Sequence, residues 1–390
     1  MIIDPADRLK QVQEYYFSRK LQEIRDLNNR GYDILNLGIG SPDLMPSRAT
    51  INALVDSARN PKNHGYQPYR GIADLRDAIS RWCSKTYRVD LNPDHEILPL
   101  MGSKEGITHI SLAFLNPGDK VLVPELGYPA YKAVTEMVGG IADTYPLLEE
   151  KNWAPDFDYL FNANLDDYKI MWFNYPHMPT GSPPDLEVFD QLIKLANEKK
   201  FLLCHDNPYS LVLNEGKPLS ILYAEGAFEV AIELNSFSKS HNMAGWRIGW
   251  LSGKREYLDQ VLKVKSNFDS GMFKGIQDAA IAALDNPQEW HDQRNQVYKD
   301  RRELVCQLLN KIGCSWKSDE VGMFIWAKIP DSITDVEKWV NDILYNYKVF
   351  ITPGFVFGEK GKRYIRVSLC SDVQMFQDAL ERLKDYKLES

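Results

Sequence analysis

Residues 236–250 read SFSKSHNMAGWRIGW, a stretch in which one lysine stands among serines at the end of an apolar segment. Lys239 would have no role in an apolar core, and Arg247 follows it eight residues later between Gly245 and Gly249. Hydroxyl groups donate hydrogen bonds to phosphate oxygens, and an arginine guanidinium binds such oxygens in bidentate fashion. The stretch therefore predicts that a lysine amine, hydroxyls and a guanidinium hold one ligand together.

Short apolar runs bounded by turn residues recur around this stretch. They read EILPLMG, DKVLVPE, IADTYPL, YKIMWFNYP, KFLLCHDNP, VAIELNSFS and RIGWLSG, and segments with helical spacing lie between several of them, at 103–115, 129–138, 185–199 and 254–267. Alternation of strands and helices is typical of a mostly parallel sheet covered by helices on both faces. We therefore predict an α/β domain with seven strands between about residues 97 and 253.

The two chain ends have a different pattern. Long amphipathic helices are predicted at 5–30 and 287–312, and the second is followed by VGMFIWAKI, a helix near 335–346, KVFITPG and YIRVSLC. This order of elements indicates a smaller α+β domain that is built from both chain ends. We expect the small domain to comprise residues 1–45 and 286–390, and the large domain to comprise residues 46–285.

The composition is typical of a soluble globular protein: the 390 residues are 44% hydrophobic and 26% charged. A net charge of −8 and the lack of a dense basic tract argue against nucleic-acid binding. The start, MIIDPADRLKQ, is too charged for a signal peptide, and no apolar run reaches the roughly 18 residues of a membrane span. Five scattered cysteines without a CxxC pair, and no HExxH motif, favour a cytoplasmic protein without a metal site.

Polar residues follow four of the predicted strands, at the sheet edge where ligands of α/β proteins bind. ILPLM leads into Gly102-Ser103-Lys104, IMWF leads into NYPHMPTG, FLLCH leads to Asp206 and Tyr209, and VAIEL leads to Ser236, Ser238 and Lys239. Two nucleotide-binding motifs are excluded. LGIGSPD has Asp43 where a dinucleotide fingerprint needs its third glycine, and GSK has the wrong order for a P-loop.

The residues at these strand ends suit one cofactor. Ser236, Ser238, Arg247 and the backbone N–H groups that begin the 103–115 helix would form a cradle for a dianion. A lysine beside a phosphate site suits a Schiff base with an aldehyde that carries a phosphate, and an aspartate at a neighbouring strand end can pair with a ring nitrogen. This set describes pyridoxal 5′-phosphate.

Each of these residues also has an ordinary structural interpretation when it is taken alone. Lys239 could be a solvated surface lysine, Asp206 a helix N-cap, and Arg247 part of a surface ion pair. Tyr128, in LGYPAY, could belong to the core. Their occurrence together, in the right order on successive strand ends, favours the cofactor site.

Several motifs resemble the fold-type I, class I/II pyridoxal-phosphate aminotransferases: SFSKSHNMAGWRIGW, HDNPY, NYPHMPTG, MGSKEGITH, PELGYPAY and YIRVSL. The resemblance runs from about residue 15 to about residue 369, and LGIGSPDLMPS, GSKEGITH and KSNFDSGMF make it strongest to the LL-diaminopimelate aminotransferases and related alanine/glutamate transaminases. It implies a large domain with strand order 3-2-4-5-6-7-1, a mobile small domain, and a homodimer with active sites at the subunit interface.

The resemblance assigns roles toward the cofactor. It implies that Lys239 forms the Schiff base and moves a proton, that Asp206 pairs with the pyridinium nitrogen, and that Tyr209 donates a hydrogen bond to the phenolic oxygen. Tyr128 would stack on the ring, and Tyr66, in HGYQPYRG, would reach the phosphate of the partner subunit. The phosphate would otherwise be held by Ser103, Lys104, Ser236, Ser238 and Arg247.

Toward the substrate, the resemblance implies that Arg366 binds the α-carboxylate as a fork, with help from the backbone of Gly40, and that Tyr15 lies on the substrate side. One position departs from the family. An asparagine amide that donates to the cofactor's phenolic oxygen usually precedes Pro-Thr-Gly, but this chain has Met178, which cannot donate a hydrogen bond. Asn174 lies four residues earlier and is not an obvious substitute. We expect the cofactor to bind, with an imine pKa higher than in a Met178→Asn variant.

The resemblance implies an aminotransferase that moves an amino group from an amino acid to a 2-oxo acid. Two alternatives stay open at this point: a lyase or acyl-transferring synthase of the same fold, and a pyridoxal-phosphate-binding protein with weak turnover, which Met178 makes conceivable. The amino donor is also open. LL-diaminopimelate carries an extra amino and carboxyl group that alanine lacks, and no single residue of the sequence separates the two.

Overall fold

A computed structural model describes residues 3–4, 6–9 and 16–388. Its helices are α1 Tyr16–Asn29, α2 Arg48–Arg59, α3 Ala73–Tyr87, α4 Ser103–Phe114, α5 Ala130–Met137, α6 Phe157–Asn162, α7 Leu186–Lys199, α8 Ala227–Val230, α9 Phe237–Ser240, α10 Arg255–Lys265, α11 Lys274–Leu284, α12 Gln288–Lys311, α13 Val336–Tyr347 and α14 Val373–Arg382. The helices expected from the spacing of apolar residues are present. Of the helix expected at 5–30, the structure describes a short 3-10 helix at Asp7–Leu9 and α1, and residues 5 and 10–15 lie outside the described residues.

The strands are mostly short. They are β1 Leu35–Asn36, β2 Ile97–Leu100, β3 Lys120–Pro124, β4 Ile141–Tyr145, β5 Leu147–Leu148, β6 Ala154–Pro155, β7 Tyr168–Asn174, β8 Leu202–Asn207, β9 Ala231–Ser236, β10 Gly249–Gly253, β11 Ser315–Trp316, β12 Phe324–Lys328, β13 Val349–Phe350, β14 Thr352–Pro353 and β15 Tyr364–Ser368.

Seven of these strands form the central sheet, in the order β4-β3-β7-β8-β9-β10-β2. Numbered one to seven along the chain, they stand in the order 3-2-4-5-6-7-1 that the resemblance implies. The pairs from β4 to β9 are parallel, and β10 is antiparallel to both of its neighbours. The predicted α/β class with a mostly parallel seven-stranded sheet is therefore confirmed.

Helices cover both faces of the central sheet. Successive side chains of a strand point to opposite faces, so Ile170 and Trp172 of β7 pack in one buried cluster with apolar residues of α4, α5 and α10. Met171 and Phe173 point the other way, into a cluster shared with α3, α7 and α11. This arrangement explains why the strands read as continuous apolar runs.

A second, four-stranded antiparallel sheet has the order β11-β12-β15-β14, and α12 packs on both α14 and β12. The two ends of the described chain meet, because β1 pairs in parallel with β13. The division into domains at about residues 45 and 285 stays a prediction. Within the residues described, no helix is long and apolar enough to cross a membrane.

A buried carboxylic acid lies in the connection between β11 and β12. The side chain of Glu320 accepts hydrogen bonds from the backbone N–H groups of Lys317, at 3.2 Å, and Trp326, at 3.0 Å. Only 4% of the residue is exposed, and burial raises the pKa of Glu320 from 4.5 to about 8 although both hydrogen bonds act in the opposite direction.

We expect the Glu320→Gln variant to lose less stability than the wild type when the pH rises from 5 to 8. Because the native pKa is the higher one, the native protein keeps a proton that the unfolded chain loses between about pH 4.5 and pH 8, so stability falls over this range. Between pH 5 and pH 8, the difference in unfolding free energy should move in favour of the variant by about 1 kcal/mol or more. Denaturant titration at both pH values measures this change. Asp319→Asn, at the exposed neighbouring acid, is the control, and an equal pH dependence in all three proteins would contradict the prediction.

Candidate active site

A cavity of about 470 Å³ opens at the carboxyl ends of the central strands. Strand register creates it, because Asn174 at the end of β7 lies beside Asp206 of β8, and Asp206 lies beside Leu234 of β9. Eleven of the thirteen residues that the sequence singled out line this cavity: Gly40, Ser103, Lys104, Tyr128, Asp206, Tyr209, Ser236, Ser238, Lys239, Arg247 and Arg366.

The other two predicted residues lie elsewhere. Tyr66 is 92% exposed and does not line the cavity of its own chain. Tyr15 lies outside the described residues.

Lys239 lies on the short helix α9, directly after β9. Its Nζ donates a hydrogen bond of 2.5 Å to the backbone oxygen of Gly40. Burial lowers the pKa of Lys239 from 10.5 to about 8, and the positive charges of Arg366 and Arg247 act in the same direction. A much larger fraction of this amine is therefore uncharged at neutral pH than in an ordinary lysine, and the uncharged amine is the nucleophilic form.

Asp206 lies near the end of β8 with one oxygen paired and one unpaired. Its Oδ2 accepts a hydrogen bond of 2.8 Å from the hydroxyl of Tyr131, whereas its buried Oδ1 has no partner among the described residues. Burial raises the pKa of Asp206 to about 6, and the bond from Tyr131 opposes that rise. A buried carboxylate oxygen without a partner is costly, so this geometry fits a ligand with a protonated nitrogen.

The part of the cavity lining at Ser103 and Arg247 suits an anion. The helix α4 begins at Ser103, and no side chain caps its first N–H groups. Gly102, at a φ of +86°, comes just before it, and a Cβ at this position would lie 2.3 Å from Nη2 of Arg247. The guanidinium therefore lies directly against the helix start, where the N–H groups and the helix dipole favour a phosphate.

Arg366, on β15, also lines the cavity. Its Nη2 donates to the backbone oxygen of Gly38 at 3.0 Å, and its Nη1 is 3.5 Å from the sulfur of Met178. The guanidinium carbon is 3.9 Å from the ring centroid of Phe324 and 4.5 Å from that of Phe357. The aromatic rings hold this cation by cation–π contact without adding a negative charge.

Residues 32–383 match the sequence profile of the family described as aminotransferase class I and II. The chain belongs to that family. It is 39% identical over 384 residues to LL-diaminopimelate aminotransferase of Aquifex aeolicus, and the aligned region covers 98% of this chain and 99% of that relative. It is 38% identical over 380 residues to the enzyme of the same name from Moorella thermoacetica, and the aligned region covers 97% of both chains. The apo structure of BacF from Bacillus subtilis superposes with a TM-score of 0.94 at 34% identity, over 100% of this chain and 99% of that one.

The protein is thus an aminotransferase that depends on pyridoxal 5′-phosphate and acts on amino acids and 2-oxo acids, as the sequence predicts. The residues found in its cavity fit the cofactor. Asp206, whose Oδ1 is unpaired among the described residues, lines the same cavity as Lys239. Arg247 and Ser103, at the start of α4, line it too and suit the phosphate group.

Sequence reasoning missed two supporting residues. Tyr131, which holds Asp206, stacks on Trp172 with ring centroids 5.1 Å apart and planes within 3°. Its position three residues after Tyr128 in LGYPAY was the available signal. The other is Arg301, which is 3% exposed and forms a fork to Asp43 at 2.7 and 2.6 Å. This ion pair anchors the loop that carries Gly38 and Gly40, and no local sequence signal joins residues 258 positions apart.

We expect the Gly102→Ala variant of this aminotransferase to bind its cofactor at least about tenfold more weakly, a loss of roughly 1.4 kcal/mol. The new Cβ would lie 2.3 Å from Arg247, at a positive φ that favours glycine. Titration of the visible absorbance with pyridoxal phosphate measures the dissociation constant. Gly245→Ala is the matched control, because a Cβ at position 245 would meet open space. Equal dissociation constants for the two variants would show that the guanidinium tolerates displacement.

Proposed function

We propose that Lys239 holds pyridoxal phosphate covalently, with Asp206 at the ring nitrogen and Arg247 with the start of α4 at the phosphate. The observation that carries this proposal is that one cavity contains an amine of lowered pKa, an unpaired carboxylate oxygen and an anion cradle. When bound, the cofactor supplies an electron sink for a carbanion at the substrate's α-carbon.

Lys239 and Asp206 would act on two different protons, one at the substrate's α-carbon and one at the cofactor's ring nitrogen. With a pKa near 8, the released amine of Lys239 can take a proton from the substrate's α-carbon and return one at neutral pH. Ionised Asp206 would hold a proton on the ring nitrogen of the bound cofactor, and that positive charge would in turn favour the ionised carboxylate. Tyr131 holds the carboxylate in the orientation that this contact needs.

The remaining cavity residues bind and orient. Arg366 receives the substrate α-carboxylate, and the loop at Gly40 brings its backbone to the same place. A Cβ on Gly40 would lie 2.4 Å from the ring of Phe324, so only glycine allows this approach. Tyr128 and Tyr209 also line the cavity, where the ring of Tyr128 would stack on the cofactor and the hydroxyl of Tyr209 would donate to the phenolic oxygen. The phosphate would also be held by Ser103, Lys104, Ser236 and Ser238, which line the same cavity.

We further propose that two copies associate and that Tyr66 reaches the phosphate site of the partner subunit. Tyr66 is 92% exposed and is not among the lining residues of its own cavity, which supports this role. A two-domain division at about residues 45 and 285, a cytoplasmic location and a substrate-side role for Tyr15 belong to the same proposal.

The amino donor can be identified by measuring activity with a panel of amino acids, with 2-oxoglutarate or pyruvate as the acceptor. LL-diaminopimelate is the first donor to test, because the relatives from Aquifex aeolicus and Moorella thermoacetica carry its name. Equal amounts of new amino acid and new 2-oxo acid identify transamination. Consumption of the donor without amino transfer would identify a lyase or synthase instead, and cofactor binding without any turnover would identify a binding protein.

We expect the purified protein to absorb visible light, and borohydride to fix the pyridoxyl group on Lys239. Reduction converts the linkage between lysine and cofactor into a stable bond, and peptide mapping then locates it. Lys104 is the internal control, since it is the other lysine among the lining residues. An adduct on Lys104 or on any other lysine would overturn the assignment.

We expect Arg366→Lys to lower kcat/KM for amino donors by at least about tenfold, mainly through KM. Lysine keeps the positive charge but loses the planar fork that binds a carboxylate with two parallel hydrogen bonds. Steady-state kinetics with the best donor measures the change. Arg363→Lys is the control, because Arg363 donates to the backbone of Pro330 and does not line the cavity. Unchanged kcat/KM for every donor in Arg366→Lys would place the carboxylate site elsewhere.

A further inference from the structure

Met178 lies where the family resemblance calls for an asparagine, and the structure shows what it contacts. The residue is 6% exposed and lines the cavity in the loop that follows β7. Its sulfur is 3.5 Å from Nη1 of Arg366, a distance at which a thioether accepts an N–H hydrogen bond. The two residues are 188 positions apart in the chain.

This contact helps fix the direction of the guanidinium. The Nη2 of Arg366 donates to Gly38, and the rings of Phe324 and Phe357 lie within 4.5 Å of the guanidinium carbon. A thioether carries no charge and is a weak acceptor. Met178 therefore orients Nη1 without neutralising the cation, which keeps its attraction for a carboxylate.

The nearest amide, Asn174, is held in place by two hydrogen bonds. The Oδ1 of Asn174 accepts a hydrogen bond of 2.7 Å from the backbone N–H of Met178, and its Nδ2 donates to the backbone oxygen of Asp206 at 2.6 Å. Both ends of the Asn174 amide are thus engaged in tying the Met178 loop to β8. The donor that the proposed function places at the phenolic oxygen is Tyr209.

From these contacts we infer that Met178 is a positioning residue for Arg366 that supplies an acceptor to the guanidinium and no donor to the cofactor. An amide at this position would offer both groups, so the methionine separates two functions. With Met178, Arg366 is still oriented for the substrate carboxylate. The nitrogen that would link Lys239 to the cofactor, however, holds its proton more strongly than it would with an amide donor at position 178. The inference rests on the proposed function, in which Arg366 binds the carboxylate and Lys239 carries the cofactor.

Two variants of the cofactor-loaded protein separate the two effects. Met178→Leu keeps an apolar side chain of similar volume but removes the acceptor, and Met178→Asn restores both an acceptor and a donor. The first readout is the dissociation constant of 3-phenylpropionate, a carboxylic acid with no amino group to transfer. The second readout is the pKa of the linkage, from the visible spectrum as a function of pH.

We expect Met178→Leu to bind 3-phenylpropionate about threefold to tenfold more weakly than the wild type and to keep its linkage pKa. Met178→Asn should bind the acid as well as the wild type does, with a linkage pKa lower by roughly one to two units. A dissociation constant of Met178→Leu within twofold of the wild type would overturn the positioning role. Superimposable spectral titrations of Met178→Asn and the wild type would overturn the donor argument.

The experiment also distinguishes a failure of this inference from a failure of the proposed function. Arg366→Lys serves as the reference, because it must lose affinity for 3-phenylpropionate if Arg366 binds carboxylates. Wild-type binding that Arg366→Lys does not weaken would overturn the proposed function, and with it this inference. Weakened binding in Arg366→Lys together with unchanged binding in Met178→Leu would overturn this inference alone.

Discussion

The register of the parallel strands β7, β8 and β9 is the constraint on which the active site depends. A slip of one residue turns every side chain of a strand to the opposite face. In the observed register Asp206 faces the cavity, and His205 faces away, between Glu233 at 2.8 Å and the backbone oxygen of Tyr175 at 2.9 Å. Polar residues on both faces of β8 thus have specific partners, and a slip would place Asp206 against the ring of Phe173 on which His205 now stacks.

The strand register alone does not form the cavity, because two of its edges also need side chains to lie directly against glycine backbone. Gly102 lets the guanidinium of Arg247 lie against the start of α4, and Gly40 lets its loop lie against the ring of Phe324. The ion pair between Arg301 and Asp43 fixes that loop from outside the cavity, in a mostly buried fork geometry that is the strong form of such a contact. The site is therefore held by backbone contacts at its edges as well as by the strands beneath it.

The sequence predicted the parts of this site that strand order alone brings together. Asp206, Lys239 and the start of α4 stand directly at strand ends, and the carboxyl ends of parallel strands meet at one edge. The contacts that it did not predict are specific pairings between distant positions, such as Arg301 with Asp43 and Arg366 with Met178. Periodicity and turn residues describe local structure, and they carry no information on which of several arginines meets which partner.

The charges of the cavity explain why a neutral residue beside Arg366 matters. Arg366 and Arg247 line the same cavity as Lys239, and the positive charge of each lowers the pKa of its amine. A phosphate at Arg247 and a carboxylate at Arg366 would each offset part of that positive field, so the cavity attracts a ligand that carries two anionic groups. An acidic partner for Arg366 at position 178 would cancel one of these two attractions before a substrate arrives. A thioether orients the same guanidinium and leaves its charge for the substrate, which is the property that a carboxylate site requires.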